Sequence, residues 1–181
     1  MRKRIPFELI PMFLVFISCG SGMTAIKSSN FKKIDSNFSG TFKNLSYKNT
    51  RKHNSSSELD NLRILKLFKI DNKNVDSINL SFTTDNSLVI EYSDSTGIRT
   101  EKFNGEFSKR GFYEIYFRKQ NIEIPPLFPI IYSKTNIDRI RISLSTENEL
   151  LIDHYIAIGG NILILAGGGG SNSIYYFERI K

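Results

Sequence analysis

The chain has one cysteine, no tryptophan and two histidines in 181 residues. A single cysteine excludes an internal disulfide framework, so the fold must be held by its core. His53 and His154 lie far apart in sequence and form no cluster with metal-ligand spacing. No apolar run reaches the roughly 20 residues that a membrane-spanning helix needs. The run Gly167 to Gly170 lacks the Gly-Lys-Ser/Thr ending and the following helix of a phosphate loop. A Gly-x-Ser-x-Gly elbow and a paired-carboxylate motif are also absent. These absences leave no local signature of an enzyme, no cofactor is expected, and no internal repeat stands out.

What is present begins with "MRKRIPFELIPMFLVFISCGSG". Arg2, Lys3 and Arg4 form a positive head, Leu9 to Ile17 an apolar run, and Ser18-Cys19-Gly20 a small-residue site, which is the order of a signal peptide. Pro11 and the shortness of the run argue against an uncleaved helix. An exported chain with one unpaired thiol would carry an oxidation hazard unless that thiol were capped or removed. Phe16-Ile17-Ser18-Cys19 resembles the lipobox of bacterial lipoproteins, with Phe16 in place of the usual leucine and Glu8 placing an acid near the apolar region. The resemblance implies that the Cys19 thiol receives a diacylglyceryl group and becomes the new N-terminus. A plain secretory signal, or a buried free cysteine, would leave unexplained why Cys19 follows Ser18 directly. Gly20, in place of the aspartate associated with inner-membrane retention, implies sorting to the outer membrane of the cell envelope.

The expected organisation is a signal peptide over 1–18, a lipidated polar tether over 19–37 and one domain over 38–181. Removing the residues before Cys19 takes away three basic residues and Glu8, lowering the formal charge from +7 to +5 over 163 residues. The surplus is concentrated near the anchor: Lys27, Lys32, Lys33, Lys43, Lys48, Arg51 and Lys52 face only Asp35. This segment suits anionic headgroups, and it also suits a solvated face that keeps a linker soluble. Nucleic acid is excluded as a partner, because export removes the protein from it and no binding motif accompanies the charge.

After the tether the pattern has period two. Ile78-Leu80-Phe82, Leu88-Ile90-Tyr92 and Ile140-Ile142-Leu144 alternate with polar residues, as half-buried strands do. Turn signals separate them at Asp85-Asn86, Asp94 to Gly97, Lys109 to Gly111, Thr146 to Asn148, Gly159 to Asn161 and Gly167 to Ser171. The expectation is mainly β: an antiparallel eight- to ten-stranded barrel or barrel-like sandwich, with one short helix after the first strand. That helix is placed at about 56–68, where Ser55-x-x-Glu58 has capping-box spacing and Leu62, Leu65 and Phe68 fall at helical intervals. "IEIPPLFPII" reads as a stiff connector or edge segment.

The ends of the domain carry a second resemblance. "FSGTFKNLS" contains Gly40-Thr41-Phe42, and "IYYFERIK" contains Arg179. This resembles the lipocalin-like (calycin) family, in which an aromatic of the first strand packs beneath a basic residue from the end of the last. The resemblance implies that Phe42 and Arg179 are a fold-closing pair; the alternative is ordinary core packing of Phe42 with a surface Arg179.

His154 shares a strand face with Ile152, Ile156 and Ile158 and so faces a core or pocket, while Asp153 and Tyr155 point to the outer face. The adjacent Asp153–His154 pair is therefore not a catalytic dyad. The glycine run reads as a hairpin loop. Three function classes follow. The first is a non-catalytic envelope lipoprotein with a partner-binding or assembly role, presenting Tyr113 or Tyr155 to an outer-membrane protein. The second is a lipocalin-like carrier of a small apolar ligand, and the third an envelope enzyme using His154. A filled interior, an empty apolar cavity and a polar cleft around His154 separate the three, and the large apolar positions favour the first.

Overall fold

A computed structural model of the chain describes residues 31–51, 61–71, 74–124, 132–163 and 165–180. Cys19, Lys27, Lys52, His53 and the first part of the expected helix lie outside them. The described residues form eleven strands and one turn of helix. The strands are β1 (Phe31–Lys32), β2 (Ser39–Lys43), β3 (Lys48–Arg51), β4 (Ser77–Phe82), β5 (Leu88–Asp94), β6 (Gly97–Phe103), β7 (Glu106–Phe107), β8 (Tyr113–Ile124), β9 (Tyr132–Ser145), β10 (Leu150–Ile162) and β11 (Leu165–Phe177); the helix is α1 (Ile64–Leu67). The strands exceed the expected eight to ten because two of them, β1 and β7, are two-residue pieces that fill edges of longer neighbours.

All pairings are antiparallel and fall into two sheets. One has the order β2-β4-β5-β6; the other has the order β3-β11-β10-β9-β8-β7, with β1 on β9. The period-two residues point where the alternation requires. Ile78, Leu80, Leu88 and Ile90 from the first sheet share one buried cluster with Ile140, Ile142, Leu150, Ile152 and Phe177 from the second. The chain crosses between the sheets at Asn44 to Tyr47, and residues 178–180 return the link. Lys43 N–H donates to Glu178 C=O, and Ile180 N–H donates to Thr41 C=O. No closed barrel is found among the described residues.

The packed part starts before the expected boundary at 38. Phe31 and Lys32 pair with Ser145 and Leu144, and Ile34 is buried in the core. A buried isoleucine and two ladder residues outweigh the polar composition that makes this stretch read as tether.

The helix is shorter than the pattern implies, and its cap is non-local. Arg63 at the N-cap makes no side-chain cap; the buried Asn44 Oδ1 accepts from Leu65 N–H at 3.1 Å, and Ser46 Oγ accepts from Leu62 N–H at 2.9 Å. At the other end Ile70 N–H donates to Leu65 C=O and Lys69 N–H to Lys66 C=O, a Schellman ending that puts Lys69 at φ 62°.

The glycine run departs most from the sequence reading. Gly167 to Gly170 lie inside β11, and Gly159-Gly160-Asn161 lie inside β10; the turn falls beyond Ile162 instead. The reason is steric. A Cβ on Gly168 would sit 2.6 Å from Gly159 Cα and 2.7 Å from Ile158 O, and one on Gly160 would sit 2.2 Å from Ser133 O. Here glycine allows close backbone approach rather than marking a turn.

Strands β8 to β11 run beyond the two-sheet core as a four-stranded arm. Ile115, Ile140 and Ile152 are core residues, whereas the further residues of the same strands become progressively exposed.

Candidate functional site

The root of the arm holds the one described histidine. His154 is half-buried, and its Nε2 lies 3.1 Å from Asp138 Oδ1. The ladder explains the approach: Ile140 is opposite His154 and Asp138 opposite Ile156, so the two side chains are diagonal neighbours on one face. The other carboxylate oxygen, Oδ2, accepts from Lys69 Nζ at 2.6 Å.

Lys69 reaches this position through two local features. Its left-handed backbone, at a site where glycine is usual, follows from the helix ending described above. Its ammonium also lies 4.4 Å from the centre of the Phe117 ring. Phe117 is itself turned inward by a register shift between Tyr116 and Arg118, and it meets Phe68 and Phe103 edge-on at 6.4 Å. Burial alone would raise the Asp138 carboxyl pKa. The hydrogen bonds and charges of Lys69 and His154 outweigh burial and hold it below the usual range.

The arrangement can share a proton between imidazole and carboxylate, but both oxygens of Asp138 are engaged. Among the described residues no hydroxyl bonds to the imidazole, although Ser173 stands opposite His154 in register. No nucleophile is therefore seated on this imidazole among the described residues. The cluster clamps the turn after α1 to the root of the arm. Asp153 does lie on the other face from His154, yet it is buried at 1% exposure rather than outward in solvent.

That other face carries a cationic and aromatic row. Arg139 has its guanidinium 4.9 Å from the Tyr155 ring centre and 5.9 Å from that of Tyr116, and Lys119 Nζ caps Tyr116 at 4.5 Å. Glu114 accepts from both Arg139, at 3.4 Å, and Arg141, at 3.2 Å. A cavity of about 450 Å³ opens beside this row, lined by Glu106, Phe107, Glu114, Tyr116 and Lys119 among others.

The structure brings Phe42 and Arg179 together. Their backbones form an antiparallel bridge, Phe42 is fully buried, and the guanidinium lies 5.9 Å from the Phe42 ring centre and 5.6 Å from that of Phe38. Tyr113 is not available to a partner: it is fully buried, with its hydroxyl donating to Asn86 C=O at 2.8 Å. The described basic residues are spread over both sheets. Lys32 bonds Asn148, Lys33 packs beside Gly111, Lys43 pairs with Glu178 at 2.7 Å, Lys48 covers the Tyr176 ring, and the Arg51 backbone pairs with Ser173.

Asp138 and Lys69 were not singled out by sequence, because their meeting with His154 depends on strand register and on a helix ending. Among the described residues no cluster of His, Cys, Asp or Glu could hold a metal ion, and no helix is long and apolar enough to cross a membrane. No protein-family model, curated protein or solved structure matches the chain.

Proposed function

We propose that the protein is a lipid-anchored component of the cell envelope, acylated at Cys19, sorted to the outer membrane, non-catalytic, and engaged in partner binding or assembly. On this reading its two sheets form a barrel-like sandwich that acts as a filled scaffold. The supporting observation is the interior: Phe42, Phe68, Leu80, Ile90, Tyr113 and Phe177 occupy the space between the sheets at 0–2% exposure. Interlocked rings, such as Phe82 with Phe107 and Tyr113 at 4.8 Å, leave that space to side chains. A small barrel or sandwich filled this way presents its outside, whereas a carrier needs an internal cavity. His154 is engaged with Asp138, whose other oxygen Lys69 holds, and this supports a structural role for it.

Two measurements test the proposal. Wild-type protein should fractionate with membranes and carry the added mass of the acyl groups, and Cys19→Ser should lose both. A Cys19→Ser variant that stays in the membrane fraction at unchanged mass would overturn the anchor. Native mass spectrometry of protein taken from its own membrane and delipidated should show no retained small molecule; a stoichiometric apolar ligand would make the carrier reading the better one.

A further inference from the structure

The end of the arm is unlike the rest of the surface. From Tyr155 to Phe177 there are 23 residues without one Asp, Glu, Lys or Arg, in a chain that is 24% charged. Ile174, Tyr175 and Phe177 at its far end return to the core, but toward the tip the stretch is not buried: Ile158, Ile162, Leu163 and Leu165 are 55%, 64%, 60% and 77% exposed. The register aligns the last row of the arm. Ile162 pairs with Leu165 on one side and Tyr132 on the other, and Tyr132 pairs with Ile124, so four apolar side chains lie side by side on one face. An exposed apolar row of this kind marks an interaction surface.

Charge identifies the occupant. The outer arm, 118–124 and 132–137 together with the uncharged stretch, holds Arg118, Lys119 and Lys134 against Glu123 alone. Lys134 stands one row behind the apolar end, two residues or about 7 Å along the strand from Tyr132. An apolar edge with a cation about 7 Å behind it on the same face, and Lys119 and Arg118 further back, matches the depth of the headgroup–acyl boundary of an anionic bilayer. Two copies meeting end to end would instead bring like charges together.

We propose that the end of the arm is a membrane-contacting surface, in which Leu165, Ile162, Tyr132 and Ile124, with Leu163 beside them, enter the headgroup–acyl boundary and Lys134 binds anionic headgroups. This contact goes beyond the anchoring reading and does not need Cys19. The point at which the anchoring segment enters the described residues lies away from the tip. Phe31 joins the domain beside Ser145, the opposite end of β9 from Tyr132. The residues between Cys19 and Phe31 reach at most about 40 Å, and β9 spans about 46 Å. Anchor and tip therefore reach one bilayer when the arm is tilted toward it, tip first, rather than standing upright.

The absence of native tryptophan supplies the test. In the full chain, Leu163→Trp places a single reporter at the tip, and Ile98→Trp places one at a 74% exposed site on β6. With phosphatidylglycerol-containing vesicles the tip reporter should shift to the blue and become shielded from iodide, while the β6 reporter does not change. Pure phosphatidylcholine should give a weaker effect, and Lys134→Gln should move the lipid titration about fivefold. Leu165→Trp serves if Leu163→Trp fails to fold. A tip reporter unmoved by vesicles would overturn the proposal, including the case in which the leader carries both reporters to the membrane. So would a blue shift that follows protein concentration without lipid, which would assign the tip to a second copy. Failure of acylation at Cys19 leaves this readout intact, so the two proposals fail separately.

Discussion

Arg179 holds Phe42 from two directions: its backbone bridges that of Phe42, and its guanidinium faces the ring at 5.9 Å while its Nη2 donates to Ser39 C=O at 3.0 Å. The residues after β11 thereby join the first strand of the other sheet. Phe42→Ala removes a fully buried ring and should cost about 3–5 kcal/mol of unfolding free energy. Arg179→Ala keeps the ring and the backbone bridge and should cost about 1 kcal/mol. Urea denaturation of both variants checks the ranking; equal, small losses would make the pair incidental to the fold.

The cluster at the arm root gives a pH signature. Asp138 has its carboxyl held below the usual range, so its contribution to stability is present at neutral pH and is lost as pH falls through its folded-state value. Asp138→Asn should therefore destabilise the protein by about 1–3 kcal/mol at pH 7, with the gap to wild type closing in acid. Melting curves across pH measure it, and a gap that persists unchanged at low pH would rule out the ionised carboxylate as its cause.

Lys69 separates backbone strain from side-chain bonding. Lys69→Ala loses the Asp138 ion pair and the Phe117 contact while keeping a Cβ at φ 62°. Lys69→Gly loses the same side chain but relieves the left-handed backbone, and should be more stable than Lys69→Ala by about 1 kcal/mol. Chemical denaturation decides, and equal stabilities would mean the backbone conformation there carries no cost.

The half-buried strands were legible because alternation depends only on neighbouring residues, as at Ile78-Leu80 and Ile140-Ile142, and both pairs are core. The face of His154 was legible for the same reason. Its partner was not, because Asp138 reaches it only through the β9–β10 register. The cap of α1 was hidden likewise: Asn44, from the bend after β2, supplies what a local capping box would have supplied. The glycines misled because glycine ordinarily punctuates strands, whereas here it lets β10 and β11 approach within a distance that Cβ atoms forbid.

Tyr47 gives an alkaline counterpart. Tyr47 is 52% exposed overall, yet partial desolvation of its hydroxyl, then the hydrogen bond that hydroxyl donates to Glu149 and the charge of that carboxylate, push its pKa up to about 12. A raised folded-state value means that the stabilisation is complete below about pH 10 and is lost as pH rises toward 12. Burial raises Tyr92 and Tyr113 as well, so the difference in ultraviolet titration between wild type and Tyr47→Phe isolates Tyr47, which should ionise near the end of the range and be brought down by Glu149→Gln. A difference titration in which Tyr47 ionises at the ordinary tyrosine value would remove the Glu149 bond from the account.

The glycines of β11 can be separated one by one. Gly168 and Gly169 are adjacent in one strand and differ only in the face to which a side chain would point. A Cβ on Gly168 would meet Gly159 Cα at 2.6 Å and Ile158 O at 2.7 Å, both backbone atoms that cannot swing aside. A Cβ on Gly169 would meet nothing within 4 Å. Gly168→Ala should therefore push β10 and β11 apart, at a cost of about 1–3 kcal/mol. Gly169→Ala should change stability by no more than about 0.5 kcal/mol. Had these residues formed a flexible loop, both alanines would be tolerated alike, so thermal melting of the two variants tests the strand assignment itself. Amide hydrogen exchange completes the argument: Gly168→Ala should speed exchange in the outer part of β10 while the core residues Leu150 to Ile152 keep their protection, because the arm extends from the core and can open without it.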